Sequence, residues 1–194
     1  MKNRLIQILT CAAAISVLQI ETISSQRHAA DSLINIAQQY IGCKYKYGAT
    51  GPNTFDCSGF IKYIYHFFNY DLTRSAASQS HDGREIALTD LQKGDILLFG
   101  ARKNPHVVGH VGIFIEKDTA NGSFTFIHAA HNKVKISNSE ETYYKQRLLG
   151  ARRILRDFSD AQNDNEEATT LPVKVVVALS PQIIKIPLIT CHIP

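Results

Sequence analysis

Apolar residues recur along this chain in two rhythms. In ADSLINIAQQYIG, residues 30–42, Leu33, Ile34, Ala37 and Ile41 keep the spacing of one helical face, and Gly42 supplies a stop. The loop CKYKYGATGPNTF separates this segment from a second predicted helix that starts at Cys57, with Asp56 as its N-cap. Phe60, Ile64, Phe67 and Phe68 then form one stripe at i, i+4, i+7 and i+8. Residues 71–89 are polar and read as surface loops with one short helix. After them the rhythm becomes two. DLQKGDILLFG introduces short strands, and HVGIFI (110–115) and SFTFIHAA (123–130) alternate on either side of EKDTANG, whose Asn121-Gly122 pair is a turn signal. That pattern predicts a β-hairpin with a longer loop. KVKIS and LLGARRILR supply two further strands. Helices come first and an antiparallel sheet follows, an α+β layout.

The two ends of the chain differ from this middle. MKNRLIQILTCAAAISVLQIETISSQ carries Lys2 and Arg4, then an apolar run from Leu5 to Ile20, then small polar residues, which is the composition of an export signal over residues 1–26. Cleavage is expected between Thr22 and Gln26. A lipid anchor at Cys11 and a retained membrane anchor are the alternatives, but the apolar run is shorter than the roughly 20 residues a spanning helix needs. Residues 158–170 are acidic and poor in apolar side chains, a linker after a domain at 27–157. The tail, 171–194, is β-prone but interrupted by Pro172, Pro181 and Pro187.

Composition narrows the function classes. The 194 residues are 44% hydrophobic and 20% charged, enough for one packed core, and the net charge is +4. That charge suits an anionic surface such as a cell wall. No arginine-rich stripe with interleaved aromatics is present, which argues against nucleic acid. Without the leader, Cys43, Cys57 and Cys191 remain, an odd number for an exported protein, so at least one thiol is left over. A Cys43–Cys57 disulfide is one way to use two of them.

Cys57 has the placement of a nucleophile. The first turn of a helix offers free N–H groups and the positive end of the dipole, which favour a thiolate. The backbone N–H of Cys57 would also face a developing oxyanion, and Gly59 keeps the turn uncrowded. A base is needed next. Alternation puts His110, Gly112 and Phe114 on one face of the first hairpin strand and Phe124, Phe126 and His128 on one face of the second. A symmetric hairpin sets Phe114 opposite Phe124, Gly112 opposite Phe126 and His110 opposite His128, so that His128 orients His110 in a Cys–His–His triad. The same three side chains could instead hold a catalytic zinc, although no C-x-x-C or H-x-x-x-H cluster accompanies them. Cys57 as a buried structural thiol is the plainer alternative. His81, His106 and His131 lie in polar segments and read as surface histidines.

These blocks resemble the NlpC/P60 family of cell-wall cysteine peptidases over roughly residues 30–156. YKYGATGPNTFDCSGFIKYIY resembles the nucleophile block, LQKGDILLF the strand that follows the substrate loop, HVGIFI the base motif, FIHAA the third-residue motif, and GARRIL the closing strand. The resemblance implies a papain-like α+β fold with N-terminal helices on a central antiparallel sheet. It implies Cys57 as nucleophile, His110 as base and His128 as third residue, with the Tyr45 hydroxyl near the nucleophile and oxyanion. It further implies that Asp56 and Ser58 line the pocket for a peptidoglycan stem peptide, Asp56 pairing a free amino terminus, and that Arg74 and Ser75 of TRSAASQ contact substrate. The chain departs from the family pattern at Thr73, where proline is frequent, and at Tyr47, where tryptophan is frequent. The implied reaction is hydrolysis of an amide in stem peptides or cross-links, without metal or organic cofactor, by a periplasmic, secreted or envelope-associated protein. A related thiol amidase or acyltransferase, or a catalytically silent wall-binding domain, are the competing readings.

Overall fold

The computed structural model describes residues 28–155. The leader with Cys11, Cys191, the 158–170 linker and the tail lie outside the described residues. Helix α1 spans residues 28–38. Short strands β1 (Lys44–Tyr45) and β2 (Thr54–Phe55) pair in parallel. They lead into α2 (Cys57–His66) and the single-turn α3 (Ala76–Gln79). The remaining elements are β3 (Arg84–Ile86), β4 (Ile96–Gly100), β5 (Val108–Lys117), β6 (Phe124–Ala129), β7 (Val134–Asn138), α4 (Thr142–Lys145) and β8 (Leu148–Arg153).

Strands β3 to β8 form one antiparallel sheet in the order β3-β8-β4-β5-β6-β7. Both faces are covered. Leu33, Ile34 and Ala37 of α1 and Phe60, Ile61 and Ile64 of α2 pack on Ile96, Leu98, Val111, Ile113 and Ile127. The opposite face sets Leu97, Phe99, Phe114, Phe126 and Ala151 against Tyr144 of α4. That double cover explains why ILLFG in β4 is apolar throughout and buried at every position, where a strand with one wet face would alternate.

A buried ion pair locks the last strand. Arg153 donates from Nε to Asp95 Oδ1 and from Nη2 to Asp95 Oδ2, each at 2.8 Å, and Nη2 also bonds the Asp90 carbonyl. Tyr65 donates to the Gly94 carbonyl beside it.

Three expectations are corrected. Helix α1 stops at residue 38 rather than 42, because Tyr40 and Ile41 turn back on i−3 carbonyls and Gly42 adopts φ +91. Ile41 therefore leaves the apolar stripe and is 39% exposed, while Tyr40 is buried in its place. The polar stretch 71–89 contains a strand, β3, at the sheet edge. The hairpin register also differs. Glu116 and Lys117 extend β5 to pair with Thr125 and Phe124, a bulge takes up Ile115, and Phe114 faces Phe126 while Ile113 faces Ile127. The loop shrinks to a turn closed by Asp118 and Ser123. The pairs Phe114–Phe124, Gly112–Phe126 and His110–His128 are not opposed in the register.

Candidate active site

The first turn of α2 is built around one carboxylate. Asp56 is its N-cap and accepts the Gly59 N–H at 2.7 Å and the Gly48 N–H at 2.9 Å. The turn is pressed against the preceding loop, with the Asp56 N–H bonded to the Ala49 carbonyl. A Cβ on Gly59 would lie 2.1 Å from that same carbonyl oxygen, so only glycine fits there.

Cys57 follows as a free, half-buried thiol, which closes the Cys43–Cys57 alternative. The backbone N–H groups of Ser58, of Val111 and of Cys57 itself lie close enough to the sulfur to favour its charged form. Burial outweighs these donors and pushes the thiol above its ordinary value, with the Asp56 charge adding to the rise. The expected depression by the helix start does not prevail, because the sulfur is largely out of water.

Val111 immediately follows His110, so the thiol sits at the end of β5 that carries the imidazole. The strand is irregular there: Phe99 faces His110 but Gly100 faces Val108, leaving Gly109 as the extra residue. The histidines meet although they are not directly opposed. His110 Nε2 lies 2.8 Å from His128 Nδ1, with the rings edge to face. Continuing the β5–β6 register brings Gly112 opposite His128, and a Cβ on Gly112 would come within 2.8 Å of the Phe126 ring and 3.3 Å of the His128 Cβ. Glycine at 112 makes the diagonal approach of the two histidines possible. Burial lowers His110 from 6.5 to about 4 and lowers His128 further, with His110 and Lys135 adding to the fall.

Of the other residues singled out from the sequence, Asp56, Ser58 and Arg74 come together. Arg74 reaches Asp56 through both terminal nitrogens and Ser58 Oγ at 3.1 Å, while Ser58 Oγ also lies 3.3 Å from Asp56 Oδ1. Asp56 holds the Arg74 guanidinium above its ordinary value. Ser75 does not join them. Its hydroxyl accepts the Ser78 N–H at 3.0 Å and closes a capping box on α3. The loop carries Thr73 where the resemblance leads one to expect proline, and it is pinned by that residue: the backbone N–H and hydroxyl of Thr73 both bond Asp82 Oδ2 at 2.9 Å.

Tyr45 is held by its backbone N–H on the Asn132 carbonyl, beside the end of β6. Burial raises its phenol, and the neighbouring Cys57 and Asp56 add to the rise, which places the hydroxyl within their electrostatic reach. A cleft of about 570 Å³ opens here, lined among others by Tyr45, Arg102, His110, His131, Tyr143 and Tyr144. His131 is exposed, as are His81 and His106, but its ring stacks parallel to Tyr45 at 6.3 Å on the cleft wall. Tyr47 stands 89% exposed.

Sequence reading misses Gln79 and Ser137. Gln79 is fully buried and donates from Nε2 to the Ser58 and Thr73 carbonyls at 3.0 Å, tying the Arg74 loop to the start of α2. Ser137 lies 3.2 Å from His128 Nε2. Alternation along KVKIS, once β7 is paired with β6, would have put Ser137 on the His128 face. Among the described residues no group of three or more His, Cys, Asp or Glu is arranged to hold a metal ion. The Nε2 of His110 and both ring nitrogens of His128 are engaged in the His–His–Ser chain, so the zinc alternative lacks a convergent ligand set.

The model of the NlpC/P60 family matches residues 42–153. The chain is 34% identical over 126 residues to a probable endopeptidase NlpC homolog of Haemophilus influenzae, covering 64% of this chain and 62% of the relative. It is 28% identical over 131 residues to a gamma-D-glutamyl-L-lysine dipeptidyl-peptidase of Bacillus subtilis, covering 68% and 43%. Among solved structures, an NlpC/P60 family protein from Bacillus cereus superposes with a TM-score of 0.59 at 32% identity, over 66% of this chain and 40% of the other. The NlpC/p60 domain of the peptidoglycan hydrolase SagA does so with a TM-score of 0.53 at 25% identity, over 64% and 97%. The chain thus spans less than two thirds of the length of these curated relatives.

Proposed function

The chain belongs to the NlpC/P60 family, and from that premise we propose that it is a cysteine endopeptidase hydrolysing an amide bond in peptidoglycan stem peptides or their cross-links. One observation carries the assignment: the Cys57 thiol feels the backbone N–H of Val111, the residue that follows His110 on β5, and the His110 imidazole is itself bonded to a second, buried imidazole. Sequence relatives named as an endopeptidase and as a γ-D-glutamyl-L-lysine dipeptidyl-peptidase support the substrate class.

In this reading Cys57 is the nucleophile, His110 the proton carrier and His128 the group that orients it. Both imidazoles are held neutral and the thiol is held protonated by burial, so the resting pair is thiol and imidazole, not thiolate and imidazolium. The proton passes to His110 as sulfur attacks the carbonyl carbon. The oxyanion that forms is stabilised by the Cys57 backbone N–H and the Tyr45 hydroxyl. His110 then gives its proton to the departing amine, and water releases the acyl group from the thioester. Asp56, Ser58 and Arg74 receive the stem peptide. The catalytic unit spans 27–157, exported by the leader to the periplasm, envelope or exterior.

Mass spectrometry of peptidoglycan fragments incubated with the full chain tests this. New fragments gaining one water, absent with Cys57→Ala, are expected, and their masses name the bond. Amine adducts in place of hydrolysis would identify an acyltransferase. Wall binding by wild type and Cys57→Ser alike, with no new fragments, would identify a binding domain.

A further inference from the structure

The histidine pair does not end at His128. Its outer nitrogen, Nε2, lies 3.2 Å from Ser137 Oγ, and Ser137 is buried within β7. The Ser137 hydroxyl is also close enough to two side chains from the turn that follows, the Glu141 carboxylate and the Tyr144 phenol, to favour their charged forms. Glu141 is fixed there by the Asn138 N–H, 3.0 Å from Oε1, and by Lys135 Nζ, 3.4 Å from Oε2. The Tyr144 ring covers the site, 5.1 Å from the His128 ring and 6.3 Å from the His110 ring. The hydrogen-bonded chain from the cleft histidine through His128 to Ser137 therefore ends beside a carboxylate at the protein surface.

Such a path has two self-consistent proton orders when both rings are neutral. In the first, Ser137 donates outward, accepts from His128 Nε2–H, and His128 Nδ1 accepts from His110 Nε2–H. His110 Nδ1 is then left with its lone pair. In the second, every hydrogen is reversed and His110 carries its hydrogen on Nδ1, where it can accept nothing. The histidines cannot choose between these orders, and neither can a hydroxyl, which donates and accepts alike. A carboxylate only accepts, and a bond to it is roughly twice as strong as a neutral one. With Ser137 donating to Glu141, the two lone pairs of Oγ are free for His128 Nε2–H and Tyr144 O–H, and every partner is satisfied.

We propose that Ser137 and Glu141 are positioning residues that set the tautomers of both histidines, so that His110 presents an unprotonated Nδ1 to the Cys57 thiol. This rests on the reading of Cys57 and His110 as nucleophile and base.

The test is two-bond nitrogen–proton correlation spectroscopy on the full chain with 15N-labelled histidine, which reads ring tautomers without any turnover. Wild type is expected to carry hydrogen on Nε2 of both His110 and His128. Glu141 is exposed, so Glu141→Gln will fold, and its amide can donate to Ser137 and release the hydroxyl toward His128. A mixture of Nδ1–H and Nε2–H forms is expected at His128, with kcat down about fivefold at unchanged KM. Glu141→Asp is expected to restore the wild-type tautomers, and Ser137→Ala to lower kcat about tenfold. Hydrogen on His128 Nδ1 in the wild type, or unchanged tautomers in both Glu141→Gln and Ser137→Ala, would overturn the proposal. A wrong nucleophile assignment shows separately, as hydrolysis that survives Cys57→Ala while the tautomers stay as found.

Discussion

Arg74 holds the Asp56 carboxylate in a two-pronged contact, with Nη2 2.6 Å from Oδ2 and Nη1 3.1 Å from Oδ1. The same carboxylate caps α2 through Gly59 and accepts from Gly48 and Ser58. Five donors converge on a group with about four lone-pair sites, so an incoming amino terminus has to displace one. The guanidinium is the partner able to leave, since its side chain is 42% exposed while Asp56 is buried. Arg74→Lys should therefore raise KM for stem peptides with a free amino terminus by severalfold while leaving kcat and Tm near wild type. Asp56→Ala should remove the cap as well and lower stability by about 1–2 kcal/mol in urea unfolding.

Cys57→Ala is expected to abolish hydrolysis and leave the thermal melt unchanged. The side chain is half-buried and its sulfur contacts are backbone N–H groups that water can satisfy. Hydrolysis persisting at more than a trace in this variant would remove Cys57 from the mechanism.

The pH profile follows from burial of the histidines. A base lowered from 6.5 to about 4 stays neutral through weakly acid solution, so the acid limb of kcat/KM is expected near pH 4. Stability has the same sign. The folded state disfavours the charged ring, so this contribution is complete above pH 6.5 and is lost as pH falls toward 4. Activity and urea midpoints measured across that interval check both statements. An acid limb at 6.5 would mean that the imidazole is solvated.

Tyr45→Phe should lower kcat by about a hundredfold with little change in KM, the cost of one oxyanion donor. Its phenol is raised by burial, with Cys57 and Asp56 adding to the rise, so it remains a donor through neutral and mildly alkaline pH. An equal loss in KM with kcat retained would make Tyr45 a binding residue instead.

The α+β architecture is readable because apolar spacing changes from helical to alternating at Asp95, and the start of α2 is announced by Asp56 and Gly59. The proposed triad positions Cys57, His110 and His128 could be picked out from type and face alone. Their geometry could not. One bulged residue, Ile115, and two more strand residues, Glu116 and Lys117, moved the pairing of β6 and converted a direct contact into a diagonal one. Ser137 and Gln79 stayed hidden for a different reason. Each acts through a partner distant in sequence, Ser137 on His128 and Gln79 on Ser58, and short-range spacing carries no trace of such a contact. The rise of the Cys57 thiol was likewise invisible, since it depends on how much water the folded sheet and helix exclude.

The position of β8 has a consequence in time. This strand, the last one described, fills an interior slot between β3 and β4. Asp95 is synthesised 58 residues before the arginine that neutralises it. Until Arg153 arrives, the nascent sheet holds two open edges and a carboxylate that no interior will accept. The sheet must therefore wait for its last strand, and a chain cut short before that point presents itself to proteases as unfinished.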